Sequence, residues 1–322
     1  DRLLHGSFES LRDHHPVVDP ATLDLPYDTA YTSGLEMKWC RGVDLLRRRE
    51  TYLPLDLFQL QRGKHDICYT LRGARKAMAT NGLGSGFTRE EAVLHAVCEF
   101  VERHAARMAE LYIANPGGLG VEPFHFVDLD GCSPTITTLV QDLRRNGAVV
   151  QAQDITSEIG IPTFIASVIR DFRRAEGQGT HPNPEVALEM ALLEAGQTIA
   201  TNAAGGREDL AIKVRSLGRH ERPRPVALAD AWRWLDPDLV QRPLSASGGL
   251  VSADVHDDLE WCIERLREGG VQHAVAVDLG SPQIAPAHVV RVVIAGLESN
   301  NPFFTGPRAR LALLRDLLPR WA

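Results

Sequence analysis

The stretch Asn81-Gly-Leu-Gly-Ser-Gly-Phe-Thr88, running straight into Arg89-Glu-Glu-Ala-Val-Leu-His-Ala-Val-Cys-Glu-Phe-Val-Glu-Arg-His104, decides how this chain is read. Three glycines lead into a helix expected from about Arg89 to Ile113. Thr88-Arg-Glu-Glu91 has the capping-box pattern, with Thr88 as N-cap and Glu91 reaching back. At the helical period, His95, Glu99, Glu102 and Arg103 share one stripe, and Val93, Val97 and Phe100 lie opposite. Two carboxylates one turn apart can bracket Mg²⁺, a hard cation that keeps several waters and takes phosphate oxygens. Taken alone, the stripe reads more readily as a solvated face with an internal Glu99–Arg103 pair. The glycine-rich loop adds backbone N–H groups able to approach an anion at a helix start. No GK[ST] follows it, so it is neither a P-loop nor a dinucleotide fingerprint.

A second strong helix is expected from Pro184 to about Ala203, with Asn183 as N-cap and Pro184 at its first position. Glu194, Gln197, Thr198 and Thr201 share one of its stripes, beside the small residues Ala187 and Ala191. Another backbone or a ligand could approach there; a polar helix surface is the plainer alternative.

Outward from these helices, Glu36–Leu46 reads as a strand with a turn at Gly42, followed by an extended Tyr52-Leu-Pro-Leu-Asp-Leu. Residues 135–145 read as helix, 148–155 and 163–170 as strands, and Arg173–Thr180 as a charged loop with glycines. A polar linker is expected over 217–226, a helix over 254–268, strands over 274–278 and 288–294, and a closing helix over 307–318. Residues 1–35 are poorly periodic. Strands and helices alternate, so the fold class is mixed α/β, and no internal repeat stands out.

Composition excludes several function classes. The 322 residues are 44% hydrophobic and 24% charged, enough for a sizeable core. A net charge of −7 argues against nucleic acid; the arginines at 47–49 and 219–224 are short solvated windows. No run approaches the roughly 18 apolar residues of a membrane span. The five cysteines form no CxxC, which argues against zinc and a disulfide framework and fits a reducing cytoplasm. Cys98 reads as a core residue, as does His104, and the histidines show no ligand spacing. The chain begins at Asp1, so its natural start is expected upstream.

Taken together and in order, these segments resemble the YcaO family. Met37-Lys-Trp-Cys-Arg-Gly-Val-Asp-Leu is similar to its Trp-x-x-Gly strand, and Tyr52-Leu-Pro to the Val-Pro element after it. Residues 81–104 resemble its nucleotide-binding signature, Asn-Gly-x-Ala-x-Gly…Ala-x-x-Glu-x-x-Glu-Arg. His181–Gln197 resembles its second helix, Gly205-Gly-Arg-Glu-Asp-Leu the segment after that, and Val290–Glu298 its late strand, with Ala295 where Pro is usual.

The resemblance implies a single YcaO domain over 1–322, with subdomains near 1–80, 81–216 and 227–322 and sheets packed by helices around a central nucleotide site. It implies ATP and Mg²⁺, with Glu99, Glu102, Glu194 and Gln197 as metal ligands. Ser85, Gly86, His95 and Arg207 would lie at the nucleotide, and Arg103 and Arg291 would neutralise phosphate charge. Arg103, Arg291 and Glu194 would act in catalysis. The implied chemistry activates a peptide amide by O-phosphorylation. A tethered side chain would give an azoline, an amine a macroamidine, and external sulfide a thioamide. The Gly296–Glu298 and Gly306–Ala309 segments, and an ending in Leu318-Pro-Arg-Trp-Ala without alternating prolines, resemble members that work beside TfuA. Those members point to thioamidation, TfuA-like proteins being thought to help deliver sulfur. The expected partners are then a precursor peptide, a TfuA-like protein, a separate leader-peptide-binding protein and a second copy of the chain. An alternative of another class is a nucleotide-binding activator that catalyses nothing.

Overall fold

The computed structural model describes residues 3–26, 29–58, 80–114, 125–170, 173–204, 241–280, 286–299, 306 and 308. Along these run β1 (Leu3–Gly6), α1 (Phe8–Leu11), β2 (Met37–Asp44), β3 (Arg49–Pro54), β4 (Leu83–Gly86) and α2 (Arg89–Ala114). Then come β5 (His125–Asp128), α3 (Pro134–Arg145), β6 (Val149–Asp154), β7 (Thr163–Arg170), β8 (Arg173–Thr180) and α4 (Pro184–Ala203). The last are β9 (Gln241–Pro243), α5 (Val255–Glu268), β10 (Ala274–Asp278) and β11 (His288–Ile294). The mixed α/β class holds. The linker expected over 217–226 and all but Arg308 of the closing helix lie outside the described residues.

The chain divides into two units: Asp1–Glu122 with Ser157–Ile161 and Ser252–Ala322, and Pro123–Thr156 with Pro162–Val251. In the first, an antiparallel sheet runs β1-β2-β10-β11-β4, with β3 also paired to β2. Flanked by strands on both edges, β10 is an unbroken apolar run, Ala274-Val-Ala-Val277, buried throughout. The buried side of α2, including Val93, Val97 and Phe100, packs in one core with Val290, Val292, Cys262 and Leu266. The second unit has the sheet β8-β7-β6-β5-β9, antiparallel except for the β5–β9 pair. Its core joins Ala187, Leu188, Ala191 and Leu192 of α4 to Phe164, Ala166 and Val168 of β7.

Three glycine-marked segments differ from expectation, each for a packing reason. Gly42 does not turn the chain. There β2 runs on to Asp44, because a Cβ on Gly42 would come within 2.7 Å of Val275 Cγ1 on the paired β10. The turn falls at 45–48, where the Asp44 carboxylate accepts the Leu46 N–H at 3.0 Å and Arg48 takes φ 51°. The supposed loops at 83–86 and 173–180 are strands β4 and β8. A Cβ on Gly84 would lie 2.0 Å from Ala92 O, and one on Gly179 2.1 Å from Ala187 O. In both places glycine lets a helix backbone lie directly on a strand.

These two strand–helix pairs are one motif used twice, a repeat the sequence does not announce. A shift of 95 positions carries Gly84 to Gly179, Ala92 to Ala187 and Ala96 to Ala191. It also carries the bond from Leu83 N–H to Glu99 Oε2 (3.0 Å) onto that from Gln178 N–H to Glu194 Oε2 (2.6 Å). Glu102 and Gln197 stand at equivalent positions.

Candidate active site

The helix starts form as their sequences foretell. Glu91 N–H donates to Thr88 Oγ1 at 3.1 Å, and Glu91 Oε2 accepts from Thr88 N–H at 3.0 Å. Asn183 Oδ1 accepts from Glu185 N–H at 2.9 Å. The first of these caps begins the helix whose polar stripe meets β4.

That contact shapes the site. Among the described residues, β4 pairs with β11 alone, Leu83 opposite Arg291 and Ser85 opposite Val289. On its other side, side chains of α2 take the place of a strand. Glu91 Oε2 also accepts Phe87 N–H at 2.8 Å, His95 Nδ1 meets Ser85 O at 3.1 Å, and Glu99 Oε2 takes Leu83 N–H. A stripe that reads as solvated is thus half committed to the backbone.

Electrostatics add the cations. Burial raises the Glu99 carboxyl above its ordinary range; Arg103, the Leu83 and Gly82 N–H groups and Arg291 pull it back only partly. A desolvated carboxylate of this kind gains from an incoming cation. Glu102 is 8% exposed, and its Oε1 lies 3.7 Å from Arg103 Nη2. Arg291 donates to the Leu57 carbonyl, and its guanidinium lies 5.6 Å from the centre of the Phe58 ring. Nothing in the local sequence marks Leu57 and Phe58, since their partner is more than 230 positions away.

The first unit therefore brings together Ser85, Gly86, His95, Glu99, Glu102, Arg103 and Arg291. Glu194 and Gln197 lie on α4 in the second unit; Glu194 is tied to Gln178 N–H and Gln197 is exposed. The small residues beside them, Ala187 and Ala191, admit the backbone of β8. Arg207 lies outside the described residues. Among the described residues, no three His, Cys, Asp or Glu side chains form a ready cage for a metal. The first unit's set suits a cation shared with phosphate: the carboxylates of Glu99 and Glu102, and two arginines within electrostatic reach of Glu99.

Cys98 and His104 are core residues, as expected. His104 Nδ1 accepts Glu298 N–H at 3.1 Å, which places the ring proton on Nε2, 3.3 Å from Glu158 Oε1. Glu298 accepts Gly306 N–H at 2.7 Å, and Arg308 Nε donates to Gly296 O at 3.1 Å. Gly306 and Arg308 are thus tied to Glu298 and Gly296.

A family model described as YcaO cyclodehydratase, ATP- and Mg²⁺-binding, matches residues 1–298. The chain belongs to the YcaO family. A Rhizobium leguminosarum bv. trifolii protein, known as the uncharacterized protein in the tfuA 3′ region, is 30% identical over 277 residues, 81% of this chain and 60% of the relative. The heterocyclase TruD matches with a TM-score of 0.71 at 20% identity, over 96% of this chain and 44% of TruD. The YcaO of Methanopyrus kandleri, solved with AMPPCP and Mg²⁺, matches with a TM-score of 0.64 at 22% identity, over 92% of this chain and 70% of that one. At these identities the structural likeness establishes the YcaO fold. The chain spans less than two thirds of both the Rhizobium relative and TruD. Among the described residues, no helix is long and apolar enough to cross a membrane.

Proposed function

We propose that this YcaO protein uses ATP and Mg²⁺ to activate a backbone amide of a ribosomally made peptide by O-phosphorylation, and that the product is a thioamide formed with an external sulfur source. The observation that carries the reading is the α2 stripe, where the desolvated Glu99 lies within electrostatic reach of Arg103 and Arg291. The Methanopyrus relative, bound to an ATP analogue and Mg²⁺, supports the choice of ligands.

Glu99 and Glu102 would hold Mg²⁺ from α2, with Ser85, Gly86 and His95 at the nucleotide; Glu194, Gln197 and Arg207 are the further ligand residues that the family resemblance implies. Bound ATP supplies the phosphoryl group that turns the amide oxygen into a leaving group, and Mg²⁺ offsets its charge. Arg103 and Arg291 stabilise negative charge on the transferring oxygens, and a guanidinium already fixed by Leu57 and Phe58 pays little reorganisation. The Glu99–Leu83 bond holds the glycine strand against α2, so the carboxylate that would serve the metal also shapes the strand beside it.

The thioamide choice rests on the Rhizobium relative beside tfuA, and it names a TfuA-like protein as partner. The family description as cyclodehydratase favours a second reading, azoline or macroamidine formation through the same activation. Incubation with Mg-ATP and precursor separates them. Exchange of oxygen for sulfur only when a sulfur donor is added supports thioamidation; loss of water without one supports cyclisation. Peptide-dependent phosphate release by the purified chain separates both from a non-catalytic activator. Glu102→Gln tests the metal site: retained phosphate release would sink the assignment.

A further inference from the structure

We propose that His95 is the base that takes the proton released as the activated amide collapses to product; this role rests on the amide activation proposed above. The Ser85 carbonyl oxygen can only accept, so the bond of 3.1 Å requires His95 Nδ1 to carry the hydrogen. In the neutral ring Nε2 then holds a lone pair, and His95 is exposed. Ser85 O is the partner the structure gives the ring. Its stripe neighbours are committed otherwise: Glu91 Oε2 to the Phe87 and Thr88 N–H groups, Glu99 Oε2 to Leu83 N–H. His95 therefore places an oriented basic nitrogen one helical turn from Glu99, on the side where the phosphoryl clamp is built.

Both candidate nucleophiles need such a group. After addition to the carbonyl carbon and phosphorylation of its oxygen, the adduct still holds one proton too many. The C–O bond to the phosphorylated oxygen breaks, and its electron pair leaves with phosphate. The electron pair of the S–H bond becomes the C=S π bond of a thioamide, or that of the N–H bond becomes the C=N π bond of an azoline. The proton passes to His95 Nε2 and on to solvent, which reaches the exposed ring. No oxidant or reductant is required.

The test compares His95→Asn and His95→Ala with the unaltered protein. Asparagine keeps an N–H able to donate to Ser85 O and removes the base, so it rescues a structural role and not a catalytic one. Three readouts are taken: AMPPCP–Mg²⁺ affinity by calorimetry, peptide-dependent phosphate and product formation, and the tautomer of the neutral His95 ring by nitrogen NMR. At saturating Mg-ATP, turnover of both variants should fall about 10²–10⁴-fold, more than any accompanying change in AMPPCP–Mg²⁺ affinity accounts for. Free imidazole should restore part of the turnover of His95→Ala, and the ring should show the Nδ1–H tautomer. Turnover of His95→Asn within threefold of normal at saturating Mg-ATP, a loss in both variants that saturating Mg-ATP restores, or an Nε2–H tautomer would overturn the role while leaving amide activation intact. An unaltered protein that releases no phosphate with peptide would overturn the activation itself, and this role with it.

Discussion

Gly84→Ala couples the fold to the site and can be worked through from distances. A Cβ there would lie 2.0 Å from Ala92 O and 2.7 Å from Ala96 N, both backbone atoms of α2 that no side-chain rotation can move. Restoring ordinary contact requires the helix and strand to separate by about 1.4 Å at this point. The Glu99–Leu83 bond of 3.0 Å and the His95–Ser85 bond of 3.1 Å would both pass beyond hydrogen-bonding range. Overpacking of about 1–3 kcal/mol, plus about 1–3 kcal/mol for a charged acceptor separated from its donor, gives a loss of about 2–6 kcal/mol. Urea unfolding measures the stability, and calorimetry with AMPPCP–Mg²⁺ measures the site. The variant should lose both stability and nucleotide affinity. Stability within about 0.5 kcal/mol of normal, with unchanged affinity, would refute the reasoning.

Gly196→Ala is the contrasting case: among the described residues nothing beyond its own helix lies within 4 Å of the added methyl, so α4 should gain about 0.5–1 kcal/mol by urea unfolding. Burial lifts the Asp24 carboxyl to about 7, against a partly offsetting bond from Ser299 N–H, with Glu298 pushing it further up. Between pH ~4 and ~7 the unfolded chain has lost this proton and the folded one keeps it, so stability falls as pH rises. Asp24→Asn should therefore match the natural protein near pH 4 and exceed it near pH 8 by about 1–3 kcal/mol, measured as denaturation midpoints across that range. Phe58→Ala removes the ring beneath Arg291, worth about 0.5–2 kcal/mol, so the Mg-ATP requirement of peptide-dependent phosphate release should rise about 2–30-fold.

Both long helices were legible because their signals are local: capping residues, apolar periodicity and a polar stripe within single turns. Strands β4 and β8 were hidden because their glycines answer to a helix backbone packed on them, and strand propensity carries no trace of such a partner. Gly42 misled for the same reason, its neighbour being β10. The duplicated strand–helix motif escaped notice because little beyond its contact points persists, namely Gly84 and Gly179, Ala92 and Ala187, Ala96 and Ala191, Glu99 and Glu194. The acidic stripe is legible, but its double duty is not, since the Leu83 N–H bound by Glu99 belongs to a strand that the sequence shows as a loop. Arg291 was placed by resemblance; its seat on Phe58 is a contact across most of the chain.

The central claim is that phosphate from ATP leaves carrying the oxygen of a backbone amide. A precursor peptide whose candidate carbonyl bears a heavy-oxygen label tests it directly, with the released phosphate analysed by mass spectrometry after turnover with Mg-ATP and a sulfur donor. The account predicts labelled phosphate in proportion to modified peptide, whichever nucleophile completes the product. Unlabelled phosphate accompanying modified peptide would contradict it.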